Sequence, residues 1–483
     1  MFFAHILAVG IACISLVVAL LLTRRRVYSL PLPPGPRPLP LLGNTHQLDA
    51  KRPWLTYTAW GKTYRKIIYS RLLGIDMVII NSETVARELL DKHSAIYSNR
   101  RLCGQMNCMS YSVNTVLLPY GETLKLHRKA YHQVLRAEKS VSYKEMYSRQ
   151  ANELVMNLLD TAGPVDPSKH IQAYTASLIM AVTYGPIVQG GKGPFLARAR
   201  ELLDIATRIN SPEKAAMYTT FPFLKKLLMW DFADDYSLME RSRELCQQLL
   251  NEVFDEVKAR MVQGTTSQSL VADFLSQADD NTDEDTMKAV ALTGYLAGMD
   301  TTASVVHTFV LAMVLFPDVQ ARARAEIDQV TKHDIIPSID DRASLPYLDA
   351  VLFEVLRWHI PTPLGIAHAT SQDDIYDGYF IPEGLKSYQP RLALSRDEET
   401  FPDASRFDPG RHLTIDGQLK DHIVNHFACT DSYRRICPGR WFAENAAWTP
   451  MATILSILRI DYARDPGGHE IEIKPEYTAG VSV

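Results

Sequence analysis

The chain has 483 residues and a mass of 54.4 kDa, and 46% of its residues are hydrophobic and 22% charged. This ordinary composition excludes a disordered, a collagen-like or a polytopic membrane protein, although length alone favours about three domains. The net charge of −4 and the pI of 6.4 argue against a nucleic-acid partner. Six cysteines, none in a CxxC pair, exclude a disulfide scaffold and give no ligand set for structural zinc.

Residues 2–22 form an apolar stretch without Asp, Glu, Lys or Arg, and Arg24, Arg25 and Arg26 follow it. About 20 helical residues cross the hydrocarbon core of a bilayer. The sequence therefore predicts a transmembrane anchor at 1–23, with the rest of the chain on the cytosolic side. A cleaved signal peptide is the alternative, but its positive charge would precede a shorter apolar run.

Six prolines lie between positions 31 and 40, and each fixes φ and removes an amide donor. Such a segment is a semi-rigid extended spacer. We expect residues 24–44 to be a basic stop followed by a proline-rich hinge that sets the height and angle of the body, residues 45–483, on a membrane. A generic linker is the plainer interpretation.

Two small strand regions and a series of helices are predicted in the body. Residues 66–80 are typical of a hairpin that turns at Gly74, and turn signals at 377–384 mark a second strand region. Apolar residues at helical spacing predict helices at 83–93, 143–160, 195–209, 238–262, 283–316, 318–331, 346–359 and 440–459.

The long helix carries Ala-Gly-Met-Asp-Thr-Thr at 297–302, near its middle. Glycine costs a helix interior roughly 1 kcal/mol relative to alanine, and threonine side chains compete for the carbonyls of the preceding turn. One interpretation is a close helix crossing that small residues permit. The other is a groove in which a ligand lies against the helix while Asp300 and Thr301 handle protons.

Two further segments carry residue types suited to chemistry. Glu354 and Arg357 are three apart on one helix face, and their apolar surroundings indicate a buried pair rather than an ordinary surface ion pair. Cys437 precedes a predicted helix N-terminus and follows Arg434 and Arg435. The helix dipole and the cations both favour a thiolate, which could be a nucleophile or a metal ligand; an inert core cysteine is the alternative.

Taken in order, these features resemble a microsomal cytochrome P450. The intervals of 53 residues from Thr301 to Glu354 and of 83 residues from Glu354 to Cys437 support the resemblance, which extends from about 33 to 480. Residues 54–70 and 345–365 resemble fungal enzymes of the O-methylsterigmatocystin-oxidoreductase-like group. The family resemblance implies a mainly α fold with a small β region, preceded by one N-terminal transmembrane helix, in place of three domains.

The resemblance implies that residues 45–483 are a haem-thiolate monooxygenase domain that binds haem b. Cys437 would be the axial thiolate ligand of the haem iron, which favours O–O cleavage. Asp300 and Thr301 would relay protons to bound dioxygen. The reaction implied is insertion of one oxygen atom into an apolar small molecule, with the other reduced to water.

Other residues would support the cofactor. By the same resemblance, Glu354 and Arg357 would hold the haem-side fold together with Arg406. Arg435 and Arg128 would pair with the haem propionates, where fixed cationic donors suit carboxylates.

Electrons would come from NADPH through a separate reductase, because the chain contains no flavin or nicotinamide domain. We expect the reductase to share the endoplasmic reticulum membrane, with the catalytic domain cytosolic. A basic docking face would then consist of Lys125, Arg128, Lys129, Arg434 and Arg440, although solvated surface charge is the plainer interpretation.

The chain departs from the family pattern beside the cysteine and at two propionate positions. Thr430, Asp431 and Tyr433 stand where the family has Phe, Gly and Gly, and Leu124 and Ala369 stand where Trp and Arg are usual. Two alternatives therefore remain open. One is a non-catalytic or decayed relative with a damaged cysteine loop, and the other is an oxygen-independent haem isomerase or dehydratase.

The substrate is expected to be apolar, because the segments that would line the pocket by resemblance are moderately apolar. Analogy with fungal relatives suggests terpenoid or polyketide tailoring in secondary metabolism. The expected pocket segments are 101–119, 205–225, 289–297, 361–369 and 476–482.

Overall fold

The computed structural model describes residues 30–100, 114–161, 163–186, 193–209, 212–220, 231–277, 283–332, 335–420, 434–473 and 475. The expected anchor at 1–23 lies outside these residues. One described helix, Glu284–Leu315, is long and apolar enough to span a membrane by length and composition. Since 56% of its most apolar window is buried inside the protein, it is the core helix of the domain rather than evidence of a span.

Helices dominate the described residues. In chain order they are α1 (Pro53–Tyr64), α2 (Glu83–Ala86), α3 (Ser94–Tyr97), α4 (Glu122–Leu135), α5 (Ala137–Ser142), α6 (Lys144–Leu159), α7 (Ser168–Tyr184), α8 (Pro194–Ile209), α9 (Pro212–Thr220), α10 (Asp231–Val262), α11 (Leu270–Ser276), α12 (Glu284–Leu315), α13 (Pro317–Thr331), α14 (Pro346–Trp358), α15 (Arg391–Ser395) and α16 (Arg440–Ile457).

The strands are short and form two small sheets. They are β1 (Ile67–Leu72), β2 (Ile75–Ile80), β3 (His368–Ala369), β4 (Asp374–Tyr376), β5 (Tyr379–Ile381) and β6 (Lys386–Tyr388). The larger sheet has the order β1-β2-β6-β3, with β2 and β6 parallel and the other neighbours antiparallel. β4 and β5 form a separate antiparallel hairpin. The mainly α architecture with a small β region is therefore confirmed.

Most of the predicted elements are present with small shifts of their ends. The hairpin at 66–80 is β1–β2, the second strand region is β4–β5, and the predicted long helix 283–316 is α12. The helix predicted at 83–93 is α2 continued by a π-helical segment, Arg87–Lys92. The sequence patterns missed α1, α3, α4, α5, α7, α9, α11 and α15.

α12 lies in the centre of the helical core. Asp283 caps its N-terminus by accepting hydrogen bonds from the backbone of Asp285 and Thr286, and Pro317 follows directly after its last turn and Phe316. Its buried face packs chiefly against α7, and α16 packs against α6 and α12. This packing places the middle of α12 and the N-terminus of α16 in the same core.

The described part of the proline-rich segment is attached to the sheet. Tyr69 in β1 donates its amide to the Pro34 carbonyl at 2.9 Å, and Phe380 in β5 donates to the Pro31 carbonyl at 2.8 Å. Gly35 lies so close to β1 that a Cβ there would be 1.9 Å from the Tyr69 carbonyl oxygen. From Leu30 onward, the segment is thus fixed to the sheet instead of projecting from it as a free spacer.

Candidate active site

One face in the middle of α12 is not covered by other side chains. Ala297 is exposed and Thr301 partly exposed, although the neighbouring Leu296 and Thr302 are buried. The Thr301 hydroxyl donates to the Ala297 carbonyl oxygen at 2.8 Å, the bond that a threonine often makes to the preceding turn. Ala297 and Thr301 therefore lie one turn apart on the same open face.

The opposite side of this turn makes a close helix crossing. A Cβ on Gly298 would lie 2.9 Å from Cγ1 and 3.0 Å from Cδ1 of Ile179 in α7, so glycine is needed for the observed spacing. The close helix crossing is therefore confirmed, while a ligand groove with proton handling by Asp300 and Thr301 stays a prediction. The glycine serves packing, and the face with Ala297 and Thr301 is open to a ligand.

Cys437 lies three residues before α16, in the short segment that leads into the helix. It is a partly exposed thiol that takes part in no disulfide. A Cβ on Gly439, the N-cap residue of α16, would lie 3.9 Å from the Cys437 sulfur, so this turn is compact around the thiol. The unsatisfied amides of a helix N-terminus favour negative charge, and the position therefore suits a thiolate.

α4 packs against α12 and orients it through one tyrosine. The Tyr131 hydroxyl donates to the Val290 carbonyl oxygen at 2.7 Å, and a Cβ on Gly294 would lie 3.0 Å from Cε1 of its ring. Gly294 lies one turn before Ala297 on the same helix. The position of the open face of α12 is thus fixed relative to α4.

The same helix also contacts the cysteine segment. Leu135, at the end of α4, has its Cδ1 3.7 Å from the position of a Cβ on Gly439. Burial raises the pKa of the Tyr131 phenol, and Cys437 lies close enough for a thiolate there to raise this pKa further. The thiol and the open face of α12 therefore adjoin the same side of α4.

The two arginines expected at the propionates hold the cysteine segment in place. Arg435 is buried and donates from Nε to the Ser98 carbonyl at 2.8 Å and from Nη2 to the Leu118 carbonyl at 2.7 Å. Arg128 in α4 donates from Nη1 to the Ile436 carbonyl at 2.9 Å. Both side chains join the cysteine segment to neighbouring parts of the fold, and their pairing with propionates stays a prediction.

Sequence reasoning missed Arg100, a second buried cation in this region. It is 5% exposed and lies two residues after Ser98, whose carbonyl oxygen accepts from Arg435. Its neighbour Asn99 pairs with Ala369 next to β6, and this places Arg100 close to the strand where the family arginine is absent. The only signal in the sequence was an Arg-Arg pair after Ser98 and Asn99, and such a polar segment is common on protein surfaces.

Glu354 and Arg357 are the centre of a fully buried network. Arg357 donates from Nε and Nη2 to the two carboxylate oxygens at 2.7 Å each, and both side chains are 0% exposed. Burial alone would raise the pKa of Glu354, but hydrogen bonds from Arg357 and His412 outweigh it and hold this pKa below its ordinary value. The carboxylate is therefore ionised, and the pair is buried as predicted.

Arg406 contributes to this network differently from the prediction. Its side chain is exposed, and only its backbone carbonyl oxygen takes part, accepting from Arg357 Nη2 at 3.0 Å. The second guanidinium at Glu354 is Arg411, with its Nε 3.2 Å from Oε1, and His412 Nε2 lies 2.8 Å from Oε2. The Arg406 carbonyl oxygen reaches Arg357 because the chain turns at Asp403, where φ is 53°, and the backbone after this turn is directed inward.

Several expected residues lie outside the described part of the chain. They include the atypical positions Thr430, Asp431 and Tyr433, and the pocket residues Met106 and Met109. The other two departures are described: Leu124 is buried in α4, and Ala369 is buried in β3. His368 lies beside Ala369 with its Nδ1 2.8 Å from the Tyr97 carbonyl oxygen.

Comparison with known proteins identifies the family. A sequence model of the cytochrome P450 family matches residues 33–479. The chain belongs to the cytochrome P450 family, as its motifs suggested, and is an oxidoreductase of the monooxygenase type. The family implies a haem cofactor and electron supply from a redox partner.

Two of the most similar relatives are from fungi. "Cytochrome P450 monooxygenase 98" of Postia placenta is 33% identical over 482 residues, which cover 98% of this chain and 92% of that protein. "Cytochrome P450 monooxygenase COX1" of Coprinopsis cinerea is 32% identical over 482 residues, covering 96% of this chain and 92% of that protein. The alignments therefore span nearly the whole length of both relatives.

The residues present fit a haem. A thiolate-ligated haem needs a cysteine on one side and an uncovered, small-residue surface on the other, and Cys437 and the Ala297–Thr301 face are suited to these parts. Within the described ranges, no group of three or more His, Cys, Asp or Glu side chains could hold a separate metal ion. The single thiol before α16 is accordingly the donor that suits a haem iron.

Proposed function

We propose that this chain is a membrane-anchored haem-thiolate monooxygenase in which Cys437 is the axial ligand. The observation that carries the proposal is the position of this thiol at the start of α16, adjoining the same side of α4 as the open face of α12. When bound, haem with a thiolate ligand supplies the activation of dioxygen. The chain's own residues hold the thiol, position the cofactor and substrate, and deliver protons.

Thr301 and Asp300 are proposed to supply protons at the distal side. The Thr301 hydroxyl lies on the open face, and its hydrogen bond to the Ala297 carbonyl fixes the direction of its proton. The Thr301 Oγ1 can also accept a hydrogen bond from water. To pass a proton to a ligand, the hydroxyl would turn its hydrogen from the Ala297 carbonyl to that ligand and take up another proton from the water. Asp300 precedes it on α12 and is partly buried, within reach of solvent protons.

Arg435 and Arg128 are proposed to face the haem propionates, together with Arg100. Arg435 and Arg100 are buried, and a buried cation needs a compensating negative charge. Two carboxylates would provide it. Arg435 and Arg128 donate to backbone carbonyls of the cysteine segment and its neighbours, and this holds their planar guanidinium groups, which suit carboxylates, in place.

We propose a reductase docking surface around Tyr120. Lys125 and Arg434 both lie over its ring, at 6.0 and 5.2 Å from the centroid, and Arg434 Nη1 donates to its hydroxyl at 2.9 Å. Both cations belong to segments that adjoin the cysteine. Lys129 and Arg440 extend this basic surface.

Membrane attachment at the endoplasmic reticulum through residues 1–23 is part of the proposal. Three leucines soon after this segment, Leu39, Leu41 and Leu42, are 44 to 48% exposed. Exposed apolar side chains so close to an anchor are suited to contact with lipid. These leucines support the proposal that residues 45–483 contact the membrane surface near the proline-rich segment.

The substrate is proposed to be an apolar small molecule of fungal secondary metabolism, of terpenoid or polyketide type. Ala297 and the partly buried Leu364 and Ala367 are the described members of the expected pocket segments that support an apolar ligand. Product analysis after co-expression with a fungal reductase and a metabolite panel tests this assignment.

The decisive experiment compares the carbon monoxide spectra of reduced wild type, Cys437→Ala and Cys246→Ala proteins. Cys246 is the matched control, because it is a buried thiol in α10. We expect the thiolate-type Soret band in the wild type and in Cys246→Ala, and its loss in Cys437→Ala. A Cys437→Ala protein that keeps this band, or a wild type that lacks it, contradicts the proposal and favours the decayed relative.

The Thr301→Ala variant distinguishes the proposed monooxygenase from the oxygen-independent isomerase or dehydratase. A monooxygenase should then convert a smaller share of consumed NADPH into product. An isomerase or dehydratase should form as much product as before, because it needs no proton delivery to dioxygen.

A further inference from the structure

α7 crosses behind the turn of α12 that carries Asp300 and Thr301, and it touches this turn at two points. Ile179 packs against Gly298, and Thr175, one turn earlier on α7, donates its hydroxyl to the Met299 carbonyl oxygen at 2.8 Å. Thr175 is 2% exposed, so water does not compete for this bond. The bond is therefore a permanent contact between the two central helices.

The hydrogen bond to Met299 is more than a by-product of packing. A threonine in a helix normally satisfies its hydroxyl on its own preceding turn. Thr175 also reaches the Gln172 carbonyl, but at 3.2 Å, so the bond to the neighbouring helix is the shorter one. A carbonyl oxygen has two lone pairs and can accept this bond in addition to its helical one.

The geometry of the turn connects this bond to the open face. Successive helical residues are 100° apart, so Met299 projects away from the side on which Ala297 and Thr301 lie. A bond that draws the Met299 carbonyl toward α7 restrains the peptide between Met299 and Asp300. It thereby limits rotation of the turn about the helix axis, which would move Thr301 relative to a ligand.

We propose that Thr175 is a positioning residue for the proton-delivering turn: by holding the Met299 carbonyl it fixes Asp300 and Thr301 against the distal side of the cofactor. This inference rests on the proposed function. It gives α7 a part in proton delivery to dioxygen, so that fewer electrons are lost as hydrogen peroxide. α7 itself does not form the open face.

The test compares Thr175→Val, which keeps the shape and removes the donor, with Thr175→Ser, which keeps the donor. Thr183→Val is the matched control, since Thr183 is a buried threonine of α7 with no hydrogen bond to α12 among the described residues. Each protein is supplied with reductase, NADPH and a fluorogenic alkoxycoumarin ether. Product and hydrogen peroxide are measured per NADPH consumed, and the carbon monoxide spectrum is recorded.

We expect Thr175→Val to form about threefold less product per NADPH, with more peroxide, the factor that loss of one neutral hydrogen bond gives. The carbon monoxide spectrum and the KM for the ether should not change, and Thr175→Ser and Thr183→Val should resemble the wild type. Equal coupling in Thr175→Val and wild type overturns the inference. So does an equal loss of coupling in Thr175→Ser, because that would indicate packing alone.

A second measurement does not depend on turnover. Amide hydrogen exchange in a peptide that covers residues 297–305 should be faster in Thr175→Val than in the wild type, with no change in one that covers 308–315. Unchanged exchange overturns the inference even if the enzyme is active. A wild type without the thiolate-type carbon monoxide band instead contradicts the proposed function, and the exchange result then still decides the contact made by Thr175.

Discussion

Arg357 donates to both carboxylate oxygens of Glu354 at 2.7 Å, and no part of either side chain is exposed. The remaining Arg357 donors reach the carbonyls of Ser395, Ala404 and Arg406. The pair thus ties α14 to the chain that leads toward the cysteine. Its value lies in this connection, since a buried ion pair by itself offsets little more than the cost of its desolvation.

Arg357→Lys should destabilise the protein by about 3 to 5 kcal/mol, because a lysine cannot reproduce the planar donors and leaves Glu354 incompletely paired. Chemical denaturation and haem content per protein measure the effect. Arg406→Lys is the control, and we expect it to change stability by less than about 0.5 kcal/mol, since only the Arg406 carbonyl is used. Comparable losses in the two variants would contradict the described network.

His127 should make stability fall in mild acid. Burial lowers its pKa to about 4, and its Nδ1 lies 2.7 Å from the Thr115 hydroxyl. Between pH 6.5 and 4 the unfolded chain binds a proton at this residue while the folded one does not, so the free energy of unfolding decreases as pH falls. Relative to His127→Gln, the wild type should lose about 2 kcal/mol of stability from pH 7.5 to 5.0, measured by urea denaturation.

His127→Gln should remove this part of the pH dependence, while His132→Gln, an exposed position on the same helix, should retain it. The same slope in all three proteins would show that His127 is protonated in the folded state.

Glu444 should have the opposite effect. Burial raises the pKa of Glu444 to about 7. Arg342 lowers this pKa only weakly, because its Nη2 is 3.9 Å from Oε2 of Glu444. No hydrogen-bond partner for the Glu444 Oε1 occurs among the described residues. The folded protein therefore keeps a proton that the unfolded chain releases above pH 4.5, and stability decreases as pH rises toward 7. Glu444→Gln should be about 2 to 4 kcal/mol more stable than the wild type at pH 8 and nearly equal to it at pH 4.5.

The exposed Glu153→Gln is the control for this comparison, and it should match the wild type at both pH values. Glu444→Gln that is no more stable at pH 8 than at pH 4.5 would contradict a protonated buried carboxyl.

Gly298→Ala should destabilise the protein despite the better helix propensity of alanine. The added Cβ would meet two atoms of Ile179 at 2.9 and 3.0 Å, and such overpacking costs about 1 to 3 kcal/mol. In an Ile179→Ala background those atoms are absent, so the same change should be neutral or stabilising. A double-mutant cycle by denaturation measures this coupling, and additive effects would contradict the close crossing.

The basic surface around Tyr120 should govern electron transfer. Reversing both charges, with Lys125→Glu and Arg434→Glu, should slow reduction by the reductase about tenfold at low salt, because charge complementarity mainly affects association. Lys92→Glu, an exposed lysine near the β4–β5 hairpin, is the control. The difference should shrink at high ionic strength, and equal rates in both variants would place docking elsewhere.

The elements that the sequence predicted are those with a clear boundary signal or a strong motif. α12 was found because a cap residue precedes it and a proline ends it, and α14 and α16 because the motif residues lie on or beside them. α7 was not predicted from the sequence because it is buried on several sides, from Ile171 to Tyr184. It therefore shows no polar stripe at helical spacing. α4 was not predicted because five basic or imidazole side chains are interspersed among its apolar residues.

The residues of the candidate site divide in the same way, into those that a local sequence pattern reveals and those that it does not. Cys437, Glu354 and Arg357 could be found because their residue types and spacing are unusual. Arg411 and His412 could not, because the backbone path that brings them to Glu354 is not encoded in a local pattern. For Arg406, the sequence indicated the right position, but the contact is made by its carbonyl oxygen rather than its side chain.

The attachment of the proline-rich segment to β1 has a mechanical consequence. Tension applied at Leu30 passes through the Pro34 carbonyl to Tyr69 and hence to β2 and β6, which lie in the same sheet. β6 pairs with β3, whose Ala369 bridges to Asn99 beside the buried Arg100. A pull at Leu30 is therefore transmitted by hydrogen-bonded strands to the segment that carries the buried Arg100.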